Sequence, residues 1–167
     1  PFTPASPHPD ISGIRLDTLF RLQNRSARIV VAPAAALQQR VLPRRILSDA
    51  SCYLVTGEEF ERDDLLGRLV KLGYAPVQLV EDRGSFAVRG GILDIFPPHM
   101  ATPVRIEFFG DTVESMRAFD PLTQRSLQPL EELVLLPSRE VLLTEEAVSD
   151  IAPRLKMCCD ELDINAD

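Results

Sequence analysis

The chain has 167 residues, 45% hydrophobic and 26% charged, with a net charge of −7 from 18 basic and 25 acidic side chains. That is enough chain for one medium domain or two small ones, and the balance excludes a low-complexity or disordered protein. No apolar run approaches the roughly 18 residues of a membrane helix, and residues 1–10 lack the basic start and apolar centre of a signal peptide. No membrane partner and a cytoplasmic location are therefore expected. The chain opens without Met in a Pro-rich stretch, which reads as a piece cut from a longer protein.

Asp10 to Asn24 predicts a helix, with Ile11, Ile14, Leu19 and Leu22 at roughly helical spacing and Asp10 or Ser12 as its cap. Arg28–Ala32 is short, β-branched and bounded by Ser26 and Pro33, which predicts a buried strand. Ala34–Val41 predicts a short helix with Pro33 near its first turn. This alternation suggests part of an α/β layer.

Cys52–Thr56 reads as a strand. Arg62–Leu72 places Leu65, Leu66, Leu69 and Leu72 on one helical face, and Gly73 follows as a stop. Beyond it the period becomes two. Val77 and Leu79, Phe86 and Val88, Ile92 to Phe96, Val104 to Phe108, and Val113 lie in short runs broken by Gly and Pro. The pattern predicts an antiparallel sheet of four or five strands covered by the leucine helix, an α+β arrangement. Glu131–Leu136 is a further apolar run, and Thr144 opens a helix with Glu145 and Glu146 in its first turn that reaches toward Cys158. The boundaries fall near 50 and 138, giving segments 1–50, 51–138 and 139–167.

Several chemistries lack their signatures. There is no GxxxxGK[ST] loop, Gly90-Gly91 is a pair that marks a bulge or close backbone approach, and no GxSxG elbow accompanies His8 or His99. Catalytic residues, metal ligands and cofactors are not expected in this chain. Cys52, Cys158 and Cys159 form no disulfide framework and no zinc spacing, so they read as small core hydrophobes in a reduced setting. Residues 1–50 carry a net +4, residues 51–139 a net −5 and residues 140–167 a net −6. A clustered basic footprint is missing overall, which disfavours autonomous DNA binding. The early arginines read as a solvated helix face, with a nucleic-acid groove as the competing reading.

The informative stretch is the hairpin PVRIEFFGDTVESMRAFD, residues 103–120. Gly110-Asp111 predicts a two-residue II′ turn. A regular register then pairs Phe109 with Thr112, Phe108 with Val113, Glu107 with Glu114, Ile106 with Ser115 and Arg105 with Met116. Val104, Ile106 and Phe108 share the core face, while Arg105, Glu107 and Phe109 share the other. That second face looks costly for a structural sheet, with like charges opposed and a ring in water. Arg89, on the Ala87 side of FAVRG, is the expected partner of the carboxylates. Arginine plus an aromatic is the composition of interface anchors. The competing reading packs Phe109 under a loop.

The segments RGSFAVRGGILDIFPP (83–98) and PVRIEFFGDTVESMRAFDPLTQRS (103–126) resemble the bacterial transcription-repair coupling factor family, Mfd, and more loosely the excision-repair protein UvrB. SPHPDISGIRLDTLFRL and ALQQRVLP, with no tyrosine in residues 1–14, favour the former. The resemblance implies that 1–50 is the tail of a helicase-like α/β domain, 51–138 an inserted α+β domain that recruits UvrA, and 139–167 the start of the next part of the module. It implies UvrA contacts at Arg89, Arg105 and Phe109, supported by Gly90, Gly91 and Glu107, and a non-catalytic fragment. In the longer parent it implies an ATP- and Mg-dependent motor on double-stranded DNA, an RNA polymerase partner, and a masking domain over the UvrA surface. The alternative is a UvrB-like ATP-dependent repair fragment that binds nucleotide or DNA.

Overall fold

A computed structural model describes residues 9–142 and 145–161. The elements run α1 (Pro9–Gln23), α2 (Ala34–Leu37), α3 (Arg44–Asp49), β1 (Cys52–Val55), α4 (Arg62–Lys71), β2 (Ala75–Pro76), β3 (Ser85–Arg89), β4 (Ile92–Ile95), β5 (Val104–Phe109), β6 (Thr112–Phe119), β7 (Ser126–Leu130), β8 (Glu132–Leu135) and α5 (Glu145–Glu161). The α+β class expected from the sequence is the one observed.

Among the described residues, six strands form one sheet in the order β2-β3-β4-β5-β6-β7, and β1 pairs with β8 in a second, two-stranded sheet. All pairings are antiparallel except β2 with β3. The sheet thus exceeds the expected four or five strands. β2 is two residues long and parallel, and exposed Val77 and Leu79 lie beyond it. β7 (SLQPL) carries Pro129 and lies on the edge, where a missing N–H is tolerated.

One face of the sheet builds the core. Phe86, Leu93, Ile95, Val104, Ile106, Phe108, Val113 and Met116 pack there with Leu65, Leu69 and Leu72 of the leucine helix. Cys52 and Leu54 of β1, opposite Leu135 and Leu133 of β8, complete that cluster. Asp63 and Asp64 occupy the first turn of α4 and Arg68 and Lys71 its last, matching the helix dipole at both ends. Leu72 caps the helix and Gly73 leaves it at φ +86°. The Tyr74 hydroxyl donates to the Leu136 carbonyl at 2.7 Å, and burial pushes this phenol well above its ordinary value.

The first fifty residues depart from expectation. Helix α1 forms, but its apolar stripe Ile11, Ile14 and Leu22 is exposed, while Ser12, Gly13 and Leu16 are buried. Gly13 sets this orientation, because a Cβ there would lie 2.6 Å from the backbone of Pro98. Only a hydrogen permits that approach. Arg28–Ala32 forms no strand, and Ile29 and Val31 are 86% and 93% exposed. Among the described residues no strand edge pairs with it, and a strand without a ladder leaves its backbone groups to water. Helix α2 is shorter than expected, with Pro33 as N-cap. At the other end Cys158 is exposed and Cys159 half-buried, so of the three thiols only Cys52 is a core residue. Thr144, expected to open the last helix, and His8 lie outside the described residues.

Candidate functional site

The second face of the sheet is divided. At one end Val80, Ala87, Phe96 and Phe119 form a small buried cluster. Next to it the ladder sets Ala87, Asp94, Arg105 and Arg117 in one row and Arg89, Ile92, Glu107 and Ser115 in the next. These rows carry the charged site.

The turn at Gly110 has φ +61° and Asp111 has no positive φ, as a II′ turn requires. Phe109 pairs with Thr112 and Phe108 with Val113, as expected, but the register then shifts. Glu107 faces Ser115, Ile106 faces Met116 and Arg105 faces Arg117, so Glu114 is the extra residue of a β-bulge. Hydrophobic burial causes the shift. Val113 and Met116 stand three apart, an odd interval that regular alternation cannot place on one face, yet both are buried at 0% and 2% exposure. The bulge removes the expected opposition of Glu107 and Glu114. Instead Ser115 Oγ donates to Glu107 Oε2 at 2.9 Å, and Arg117 approaches the same carboxylate at 3.6 Å. Arg117, not Arg89, is the cation beside Glu107.

Arg89 and Arg105 converge on a third residue. Asp94 of β4 is 1% exposed, and a carboxylate so buried needs compensation. Arg105 donates from Nε to Oδ1 at 2.6 Å and from Nη2 to Oδ2 at 2.8 Å, and Arg89 Nη2 donates to Oδ2 at 2.5 Å. The Arg105 guanidinium also lies 4.8 Å from the Phe119 ring centroid. Its hydrogen bond to Asp94 pushes it further above its ordinary value, against the opposing cost of burial. Gln124 braces the assembly, with Oε1 3.4 Å from Arg105 Nη2 and Nε2 donating to the Pro121 carbonyl at 2.7 Å.

Phe109 extends beyond this cluster. The alternation of β5 puts it on the Arg105–Glu107 side, and its ring is 78% exposed. The loop-packed alternative for this ring is therefore wrong. Gly91 explains how the neighbouring turn fits. A Cβ there would stand 2.8 Å from the Phe108 carbonyl oxygen, and the Phe108 N–H donates to the Gly91 carbonyl at 2.7 Å. Gly90 supplies φ +60° in the same turn, with its carbonyl accepting from Arg62 Nη1 at 2.8 Å.

Sequence reasoning isolated Arg89, Arg105, Phe109 and Glu107, and missed Asp94, Arg117, Ser115 and Gln124. Asp94 had a signal: it is the single acid within the apolar run ILDIF. A separate cleft is lined by residues including Asp17, Tyr53, His99 and Glu132. There Tyr53 donates to Glu132, and burial holds His99 below its ordinary value. Among the described residues no group of three or more His, Cys, Asp or Glu is placed to hold a metal, and no helix is long and apolar enough to cross a membrane.

Residues 52–141 match the family model described as the UvrB interaction domain. Among curated relatives, the transcription-repair-coupling factor of Myxococcus xanthus is 46% identical over 147 residues, 87% of this chain and 12% of the relative. Those of Escherichia coli K12 and Bacillus subtilis 168 are 37% and 38% identical over 84% and 83% of the chain, again about 12% of each relative. The chain thus spans about 12% of the length of these relatives.

Proposed function

The chain belongs to the UvrB interaction domain family, and from that premise we propose that it is the UvrA-docking module of a transcription-repair coupling factor. The observation that carries this reading is one sheet face on which Arg89 and Arg105 grip a buried carboxylate while Phe109, farther along β5, stands 78% exposed. An exposed phenylalanine on the same face as ordered guanidiniums suits a partner with an apolar socket rimmed by carboxylates. Arg89 is half exposed with one nitrogen on Asp94, Arg105 is more enclosed, and Glu107 with Arg117 forms a neutral flank. Gly90 and Gly91 form the adjoining turn, which packs directly on the backbone of β5 at Phe108.

The module is non-catalytic in this reading. Its task in the longer protein is to bring UvrA to RNA polymerase halted at damage, which fits the name its relatives carry. An ATP-driven DNA motor and a domain masking this face belong to the same proposal. Calorimetric titration of the chain with purified UvrA tests it. Arg89→Ala and Phe109→Ala are expected each to weaken binding by about 1–2 kcal/mol with little change in melting temperature. Unaltered affinity in both variants refutes the site.

A further inference from the structure

We infer that Asp94 is a positioning residue of this docking face: with Arg105 it holds the Arg89 guanidinium so that the donors left free on Arg89 meet a carboxylate of the partner. The inference rests on the UvrA-docking reading and deepens it.

The two arginines are not equivalent. Arg105 commits Nε and Nη2 to Asp94, lies over Phe119 and abuts Gln124, and its side chain is 16% exposed. It is part of the framework. Arg89 commits only Nη2, and its side chain is 50% exposed. A guanidinium has five N–H donors in a planar fork, so most of those on Arg89 remain for an outside acceptor. The register makes this arrangement possible. Asp94 stands directly between Ala87 and Arg105 in the ladder, and Arg89 lies two residues along on the same face. The small Ala87 side chain leaves room for the long Arg89 side chain to fold back over the carboxylate.

Holding one nitrogen fixes the plane and reach of the whole fork before the partner arrives. A free arginine would lose that rotamer freedom on binding, so tethering lowers the cost of association. The tether acts on the lifetime of the complex. Removing the Asp94 charge makes the face more cationic and does not slow encounter with an acidic partner, whereas a loosened Arg89 releases sooner.

Surface plasmon resonance on immobilised UvrA, with the wild-type chain, Asp94→Asn, Arg89→Ala and the double variant, provides the test. Arg89→Ala is expected to weaken binding by about tenfold. Asp94→Asn is expected to speed dissociation by about five- to tenfold without slowing association. The double variant is expected to be no weaker than Arg89→Ala alone, because Asp94 acts through that side chain. If Arg89→Ala weakens binding while Asp94→Asn leaves dissociation unchanged, or if the two losses add in full, the positioning role is overturned and the docking reading stands. If Arg89→Ala leaves affinity unchanged, the positioning role is overturned, and the docking reading falls with it only if Phe109→Ala leaves affinity unchanged as well.

Loss of the buried carboxylate endangers folding, so a second measurement uses the unsubstituted chain. Arginine Nε–Hε resonances of the deuterated chain are followed as UvrA is added. The Arg89 signal is expected to move and the Arg105 signal, locked on Asp94, to stay. Movement of the Arg105 signal together with that of Arg89 overturns the division of roles.

Discussion

Two adjacent phenylalanines provide the sharpest stability test, because the alternation of β5 sends them to opposite faces. Phe108 is 8% exposed and belongs to the main core, whereas Phe109 is 78% exposed. Truncating a core phenylalanine to alanine costs about 3–5 kcal/mol through lost transfer energy and the cavity left behind. Scaling that cost by the small packed fraction of Phe109 leaves about 1 kcal/mol at most. For a domain of this size, Phe108→Ala should lower the melting temperature by about 6–20 °C and Phe109→Ala by less than about 4 °C. The order reverses for partner binding. Covering the exposed ring removes on the order of 100–200 Å² of apolar area from water, several kcal/mol as an upper bound and about 2 kcal/mol, or 30-fold, after the costs of association. Scanning calorimetry and urea melts of both variants check the first half, and UvrA titration of Phe109→Ala the second. A Phe109→Ala chain that loses as much stability as Phe108→Ala would refute the strand-face reasoning.

Other outcomes follow from the same geometry. Glu114→Lys should change stability by no more than about 0.5 kcal/mol, because the bulge removes this residue from opposition to Glu107. A clear gain in a urea melt would mean that the two carboxylates face each other after all. Gly91→Ala should destabilise by about 1–3 kcal/mol, since the new methyl meets the rigid Phe108 carbonyl rather than a side chain that can yield. A neutral result in the same melt would place that carbonyl elsewhere. Burial holds His99 below its ordinary value, so the unfolded chain takes up a proton that the folded chain resists. The contribution is therefore fully present above about pH 6.5 and is lost as pH falls below it. His99→Gln should flatten the decline in melting temperature between about pH 7 and 5, and an unchanged slope would remove His99 as its source.

The sheet was legible where burial follows a simple period. Leu65, Leu69 and Leu72 announced their helix face, and Val104, Ile106 and Phe108 their strand face, because each repeat matches one element's geometry. The hairpin tip was legible from Gly110, whose positive φ a II′ turn demands. Four residues farther along, reasoning from strict alternation failed, because Val113 and Met116 enforce a bulge that the odd spacing signals only in retrospect. β7 was missed for the opposite reason. It buries little, and a polar edge strand carrying proline has no apolar signature. Ile29, Val30 and Val31 have the composition of a strand, but a strand is a property of its neighbours, and among the described residues none pairs there. At the site, the outward residues Arg89, Arg105 and Phe109 emerged from alternation alone. Asp94 did not, because its role depends on three strands meeting in register.

Hydrogen exchange of the chain with and without UvrA, read by mass spectrometry, tests the docking face most directly. Protection is expected in the turn at Gly90 and Gly91, along β5 to the tip at Phe109, and little along β7 or β1. A protected patch centred on the exposed segment near Ile29, with 89–110 unchanged, would contradict it.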